Sequence, residues 1–273
     1  MKVRLTTLSE NTASGPGFAA EWGLSILAQA DGQNILFDTG AGFACLRNAD
    51  KLGIHWPAGT RIVLSHGHAD HTGGLRDVLR RTGKTEVIAH PAMWELKYTK
   101  RPHEDKMAYI GIPYIRDELE LLGAEFNLSR APLQLSENLW TTGEIPLITD
   151  FEMIEPFFYV KEGDILRPDS MADDLALIIE TKKGLVIVLG CGHRGMMNTI
   201  YHAQEITGEE RVHTVVGGTH LFPKTEEQRE ETVEALKKIG ISHCTGFQAS
   251  VKLANAFGDA FFLNHAGTVY EME

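Results

Sequence analysis

The sequence predicts an α/β protein, an αββα sandwich in which two sheets pack face to face and helices cover their outer sides. Three observations lead there. In the first half, apolar strand segments each run into a glycine-bearing turn and then a helical segment; the same succession returns in the second half; and no proline-rich or low-complexity linker divides the two. Residues 1–273 therefore read as one domain, of ample length for a substantial core.

Lys2 to Leu8 alternates as a strand, and Asn11 to Trp22 is a loop of small residues around Gly15-Pro16-Gly17. Strands Gly23–Ala30 and Gln33–Asp38 meet at Asp31-Gly32, a strong hairpin signal. Gly40-Ala41-Gly42 ends the second strand, and a short helix follows to about Leu52. Arg61-Ile62-Val63-Leu64 reads as a buried strand, Leu75–Arg80 as a helix, and Glu86–Ala89 as a strand closed by His90-Pro91. From 92 to 123 the pattern loosens, with the basic, aromatic, proline-broken run Lys97–His103; this reads either as an insertion or lid over a site or as a solvated excursion. Turn-punctuated strands fill Phe126 to Val160, and Asp173–Glu180 with Gly184–Gly190 forms a second, very apolar hairpin. Helices are expected over Arg194–Ile206, Thr225–Ile239 and Ser250–Phe257, with a strand at Val212–Val216 and a closing strand or two.

Between strand Arg61–Leu64 and helix Leu75–Arg80 runs Ser65-His66-Gly67-His68-Ala69-Asp70-His71-Thr72-Gly73-Gly74. Imidazole nitrogen and carboxylate oxygen are the donors that borderline divalent ions prefer. Two histidines at i and i+2 in extended backbone point the same way. Asp70 and His71 lie around the turn, able to face a second ion. This is a metal-binding turn. Asp38, ending the neighbouring strand, is placed to accept the second ring N–H of His66 or His68, or to cap the helix after Gly40. His220, in Val216-Gly217-Gly218-Thr219-His220-Leu221, is a candidate to bind a substrate anion or protonate a leaving group; the competing reading is a packed strand-end histidine. His193 and His243 lie in turns after apolar segments, where sheet edges collect ligand sites.

His66-x-His68-x-Asp70-His71 is also the signature of the metallo-β-lactamase superfamily, which the chain resembles from end to end. More narrowly, Glu21-Trp22-Gly23-Leu24-Ser25, Phe37-Asp38-Thr39-Gly40, Gly190-Cys191-Gly192-His193, Gly217–Leu221 and His243-Cys244-Thr245-Gly246 resemble a subfamily named for a dihydropterin ribofuranosylaminobenzene-phosphate synthase, whose other members are mostly called metal-dependent hydrolases. The resemblance implies a metallo-β-lactamase-type sandwich holding one or two divalent ions, zinc first, with manganese or iron as substitutes. It implies that His193 joins His66 and His68 on one ion and that His243 joins Asp70 and His71 on the other. Where many members bridge the ions with an aspartate, this chain has Cys191, either a thiolate ligand or a small residue that fills the space; the filler reading is preferred. Asp173 or Asp174, before the adjacent strand, is the candidate substitute carboxylate. Trp22 stands where the subfamily has histidine, and either walls the pocket or packs.

A net charge of −11 argues against a nucleic-acid partner, which needs a basic face, while bound cations leave room for a small anionic substrate. Cys45, Cys191 and Cys244 are too few and scattered for a disulfide framework. No run approaches the ~20 apolar residues of a membrane span. The N-terminus starts as a strand without a signal peptide's apolar core, so a cytoplasmic protein with no membrane partner is expected. The functional expectation is a hydrolase of a small ester or phosphate-bearing substrate. Its ions would lower the pKa of a bound water toward ~7 and so provide hydroxide, with Asp70 and His220 as catalytic side chains. The alternatives are a synthase-like transferase of the subfamily's named type and a di-iron oxidoreductase. The latter usually carries Glu where this chain has Ala69.

Overall fold

The computed structural model describes residues 1–56, 59–101, 105–221, 239–245 and 247–273. One seven-stranded sheet has the order β18 (Val269–Met272), β1 (Val3–Ser9), β2 (Ser25–Ala30), β3 (Gln33–Phe37), β4 (Arg61–Val63), β5 (Thr85–Ala89), β8 (Ala124–Leu128). The other runs β17 (Phe261–Leu263), β16 (Ile239–Ser242), β15 (Val212–Gly218), β14 (Gly184–Leu189), β13 (Ala176–Thr181), β10 (Leu139–Thr141), β9 (Leu133–Ser136). Each combines antiparallel hairpins with a parallel run, β3–β4–β5–β8 in the first and β14–β15–β16–β17 in the second.

Strict alternation explains why these strands are apolar on both faces. Ile26, Ile35, Phe37 and Val63 of the first sheet meet Leu177, Ile179, Val186 and Val188 of the second, forming the central core. The residues between them point outward. Leu27, Leu36, Ile62 and Val87 pack on α1 (Ala44–Lys51), α3 (Leu75–Thr82) and α4 (Arg116–Leu121) through Ala49, Leu75, Val78, Leu79 and Leu119. Ile178, Leu185 and Ile187 pack on α5 (Met196–Thr207) and α6 (Phe247–Phe257) through Met196, Met197, Ile200 and Leu253. Covered on both sides, such strands lose the polar face that a half-exposed sheet needs. The αββα sandwich expected from the sequence is what forms, with each layer's helices outside.

The segment 92–123 is more ordered than its sequence suggests. It supplies β6 (Leu96–Thr99), β7 (Ala108–Tyr109) and α4, and β6 and β7 join β11 (Phe158–Glu162) and β12 (Ile165–Pro168) in a third, four-stranded antiparallel sheet. Lys97 of β6 is fully buried, and its Nζ donates to Asp169 and Asp173 at 2.8 Å each. Asp173 in turn accepts the Gly67 N–H at 2.8 Å, so the third sheet grips the histidine-bearing turn through one ion pair. Gly67 itself permits the close approach of the 91–94 turn, since a Cβ there would stand 2.3 Å from the Met93 carbonyl oxygen. Elsewhere the sequence reading misses β16, whose Ile-Gly-Ile-Ser run is too short to show a period; the loop expected around His243 is a strand running into a 3-10 turn, His243–Thr245. The helix expected over Thr225–Ile239 lies outside the described residues except for Ile239, which opens β16.

The buried triad yields a signed prediction. Removing one partner of a buried ion pair leaves an uncompensated charge, so Lys97→Met should cost about 3–5 kcal/mol in urea unfolding at pH 7. Lys97 holds the Asp173 carboxyl below its ordinary 3.8 against the opposing effect of burial, so the wild-type contribution persists down to that value and is lost only below it. Without Lys97, burial raises the carboxyl instead and protonation relieves the strain. The gap between the two proteins should therefore narrow as pH falls from 7 toward 4, and a constant gap would remove the role assigned to the ion pair.

Candidate metal centre

Five parallel or hairpin strands deliver their carboxyl ends to one rim. Asp38 follows β3, the turn 65–71 follows β4, Cys191 and His193 follow β14, His220 follows β15, and His243 follows β16. Three of these, Asp38 (φ 58°), His220 (φ 48°) and His243 (φ 56°), have left-handed backbone that non-glycine residues rarely adopt. Such conformations persist where surrounding bonds hold them.

Those bonds also set the rings. Asp38, wholly buried, accepts the Ser65 N–H at 2.7 Å, the Ser65 hydroxyl at 2.6 Å and the His71 Nδ1–H at 2.6 Å. Since the Ser65 proton goes to Asp38, the 2.9 Å contact to His66 is donated by His66 Nδ1. Asn11 Oδ1 accepts from His243 Nδ1 at 2.9 Å, and Glu10 takes the His243 backbone N–H at 2.7 Å. His66 and His243 are thereby fixed with the ring proton on Nδ1 and a bare lone pair on Nε2, while Asp38 orients the His71 ring with its Nε2 toward the same rim.

These lone pairs converge. The donor atoms of His66, His68 and His193 lie within 4.8 Å of one another, as do those of Asp70, His71 and His243. His66 Nε2 stands 3.0 Å from His68 Nδ1; His71 Nε2 stands 3.2 Å from His243 Nε2, and Asp70 Oδ2 lies 3.3 Å from the latter. Neither ring nitrogen of His193, nor His68 Nε2, has a hydrogen-bond partner among the described residues, although both rings are buried. Burial drives the His66 and His68 pKa values well below their ordinary one, and burial with the neighbouring His220 takes His193 to about 3. Neutral, buried, lone-pair-bearing rings are what a divalent cation requires. Around His71, burial is outweighed by the Asp38 and Asp70 carboxylates, which lift the ring to about 9. The field there favours positive charge. The residues fit one or two cations.

All six sequence-predicted ligands thus gather in two groups. Asp38 supports His71 directly and reaches His66 only through Ser65, rather than holding His66 or His68 as expected; His71 turns back from α2 (Ala69–Thr72) over the strand end and takes the carboxylate first. Asp174 belongs to neither donor group: its Oδ2 accepts the Arg194 N–H at 2.8 Å, its Oδ1 is buried without a hydrogen-bond partner among the described residues, and burial with Asp173 pushes the carboxyl up to about 7. Asp173 is committed to Lys97 and Gly67. Cys191 is buried among the donors, its Sγ 3.1 Å from His71 Nε2. His220 lies against His193, ring centroids 4.2 Å apart, with its Nδ1 2.9 Å from Glu155 Oε1. Trp22 is 59% exposed with its ring 5.6 Å from that of His243, and so lies on the solvent side of the second donor group rather than packed in the core. The sequence reading missed Glu155, Asn11, Glu10 and Ser65. Of these only Ser65 had a signal, its position beside the motif; the others sit in loops without a pattern.

An αββα sandwich with two imidazole and carboxylate donor groups at one rim defines a class of metal-dependent proteins. The chain belongs to the metallo-beta-lactamase superfamily, whose family model matches residues 23–205. It is 33% identical, over 98% of its length and 96% of the relative's, to the 7,8-dihydropterin-6-methyl-4-(beta-D-ribofuranosyl)-aminobenzene-5'-phosphate synthase of Methanocaldococcus jannaschii. An uncharacterized protein of the same organism is 32% identical over 96% of this chain and 97% of that one. Among solved structures, Tm1679, a metal-dependent hydrolase of the beta-lactamase superfamily, superposes with a TM-score of 0.85 at 29% identity over 99% of both chains. A diphosphatase of the PhnP family, 15% identical with a TM-score of 0.56 over 100% of this chain and 98% of that one, shares the fold. Among the described residues no helix is long and apolar enough to cross a membrane.

Carboxylates that orient ligand histidines typically tune ion affinity 10–100-fold. Asp38→Ala should therefore lower the protein's ion retention by about that factor in chelator competition, with Asn11→Ala acting in the same direction through His243. Unchanged retention in both variants would mean that ring orientation does not govern binding.

Proposed function

We propose that this protein is a metal-dependent hydrolase of a small anionic substrate, an ester or a phosphate-bearing molecule, with zinc as its ion. The observation that supports this reading is the convergence of His66, His68 and His193 beside Asp70, His71 and His243. When bound there, divalent ions supply a nucleophile at neutral pH by acidifying coordinated water, and they offset charge on the reacting centre. The chain's own groups do the remainder. Asp70 has a side chain 23% exposed where its histidine neighbours have none, so it faces the solvent side from which substrate enters. Flanked by His71 and His243, it stays ionised and orients the attacking water. Glu155 steadies His220 through Nδ1, and His220 transfers a proton to the leaving group. Trp22 forms one wall of the entrance.

The 33% identity to a synthase favours a second reading, a transferase in which the same donor groups promote departure of a leaving group. A phosphate-bearing reactant is common to the transferase reading and to one form of the hydrolase reading, and the two differ in whether water or a second substrate attacks.

Ion content should be measured on protein purified without chelators, followed by turnover of phosphomonoester, phosphodiester, lactone and thioester probes. Turnover of at least one probe, lost on chelation and restored by zinc, is expected. His68→Ala should abolish it. His220→Gln should lower kcat by about 10²–10⁴ with ion content unchanged. Full activity in folded His68→Ala would sink the hydrolase reading, and oxygen uptake by an iron-loaded form would favour the redox class.

A further inference from the structure

Four strands end beside the histidine turn and carry polar side chains that the two donor groups leave out. His90 follows β5, Arg130 follows β8, Glu144 follows β10, and Arg194 comes after β14, directly behind His193. β5 and β8 run parallel to β4, and β10 runs with β14, since both are antiparallel to β13. All four residues therefore reach the rim where the donor groups sit. The 91–94 turn that opens after His90 is the one packed on Gly67, between His66 and His68.

Buried donors converge here with too little to bind. Burial lowers the pKa of the His90 ring from its ordinary value, and its Nδ1 accepts the Ala92 N–H at 3.1 Å, so the ring proton sits on Nε2. That N–H has no hydrogen-bond partner among the described residues, and neither has Nε of Arg194, a side chain nine-tenths buried. Buried donors in folded proteins are nearly always paired. One acceptor stands among them. Glu144 Oε1 lies 3.3 Å from Arg194 Nη1, and Oε2 lies 3.5 Å from Arg130 Nη1 and 3.7 Å from His90 Nε2. Charge-assisted hydrogen bonds are ~2.7–2.9 Å long, so this carboxylate satisfies none of the three well. Its backbone is pinned, because the Glu144 N–H donates to the Arg130 carbonyl at 2.8 Å and Gly143, at φ 62°, packs against the same carbonyl. Its side chain is 38% exposed and opens to solvent. Asp173 is held by Lys97 and Gly67, and Asp174 Oδ2 by the Arg194 N–H.

We propose that His90, Arg130 and Arg194 form an anion subsite beside the metal centre, which takes a phosphate group of the substrate in place of the Glu144 carboxylate. This rests on the phosphate-bearing form of the reading above. The exchange is non-covalent: Glu144 turns toward solvent, and phosphate oxygens accept from Arg194 Nε and Nη1, from His90 Nε2 and from Arg130. A planar guanidinium presents two parallel N–H groups to such oxygens, and a phosphate offers more acceptors than the single carboxylate it displaces.

The test titrates inorganic phosphate into the zinc-loaded full chain by calorimetry and pairs it with kinetics on phosphomonoester and lactone probes. Glu144→Gln removes the competing charge and should tighten phosphate binding by roughly tenfold. Arg194→Gln should weaken it by about 10–100-fold. Arg130→Gln, a change on an exposed side chain, should weaken it in the same direction and keeps the test readable if the buried variant fails to fold. In the kinetics, Arg130→Gln should raise KM for the phosphomonoester more than kcat falls, and lower the preference for that probe over the lactone. Phosphate binding that is weaker in Glu144→Gln, or equal to wild type in both Glu144→Gln and Arg130→Gln, would overturn the subsite and leave a structural ion pair. Tighter binding in Glu144→Gln with an unaltered probe preference in Arg130→Gln would overturn the substrate assignment, the anion then being free phosphate. Absence of turnover on every probe would defeat the hydrolase reading and with it the substrate assignment, whereas turnover with unaltered phosphate affinity in all three variants would defeat the subsite alone.

Discussion

The histidine-bearing turn at the rim depends first on one buried carboxylate. Asp38 accepts three hydrogen bonds, two from Ser65 and one from His71, and holds a left-handed backbone to do so. A buried carboxylate is costly unless its lone pairs are used. Here their use aligns a strand end, a serine and two imidazoles at once. Because Ser65 spends its proton on Asp38, His66 must donate, and its opposite nitrogen is left bare. One acid residue outside the donor groups thus decides the tautomers within them.

A second buried acid does the same work from the other side. Asp173 ties Gly67 to Lys97, and Lys97 belongs to a sheet that is not part of the sandwich. The turn is held between Asp38 below and Asp173 beside it, so the ligand geometry is preset by the protein. Preset donors lose little conformational freedom when they bind, which is the general advantage of preorganisation.

Much of this was legible in the sequence, and the gaps have physical causes. The sandwich was readable because its strands are apolar on both faces and its glycines stand where strands end. The His66–His71 turn was readable because four donors fall close together in the chain. His193 and His243 were placed by resemblance, since nothing local in Gly192-His193 or His243-Cys244 says which strand ends meet. Glu155 and Asn11 were not found, because they act across separations that carry no period: Asn11 bonds a residue 232 positions away. The third sheet escaped for a related reason. β6 and β11 pair across some sixty residues, and the buried Lys97 that marks their importance looks, in sequence, like a surface charge.

The donors come from opposite halves of the sandwich: His66, His68, Asp70 and His71 from the first sheet, His193 and His243 from the second. Any cation gripped by both sets is a clasp across the fold, bound by the native chain and not by the unfolded one. By mass action, the free concentration of that ion then becomes a variable of folding stability. Scarcity of metal would loosen the assembly of the two halves before it altered any single bond within them.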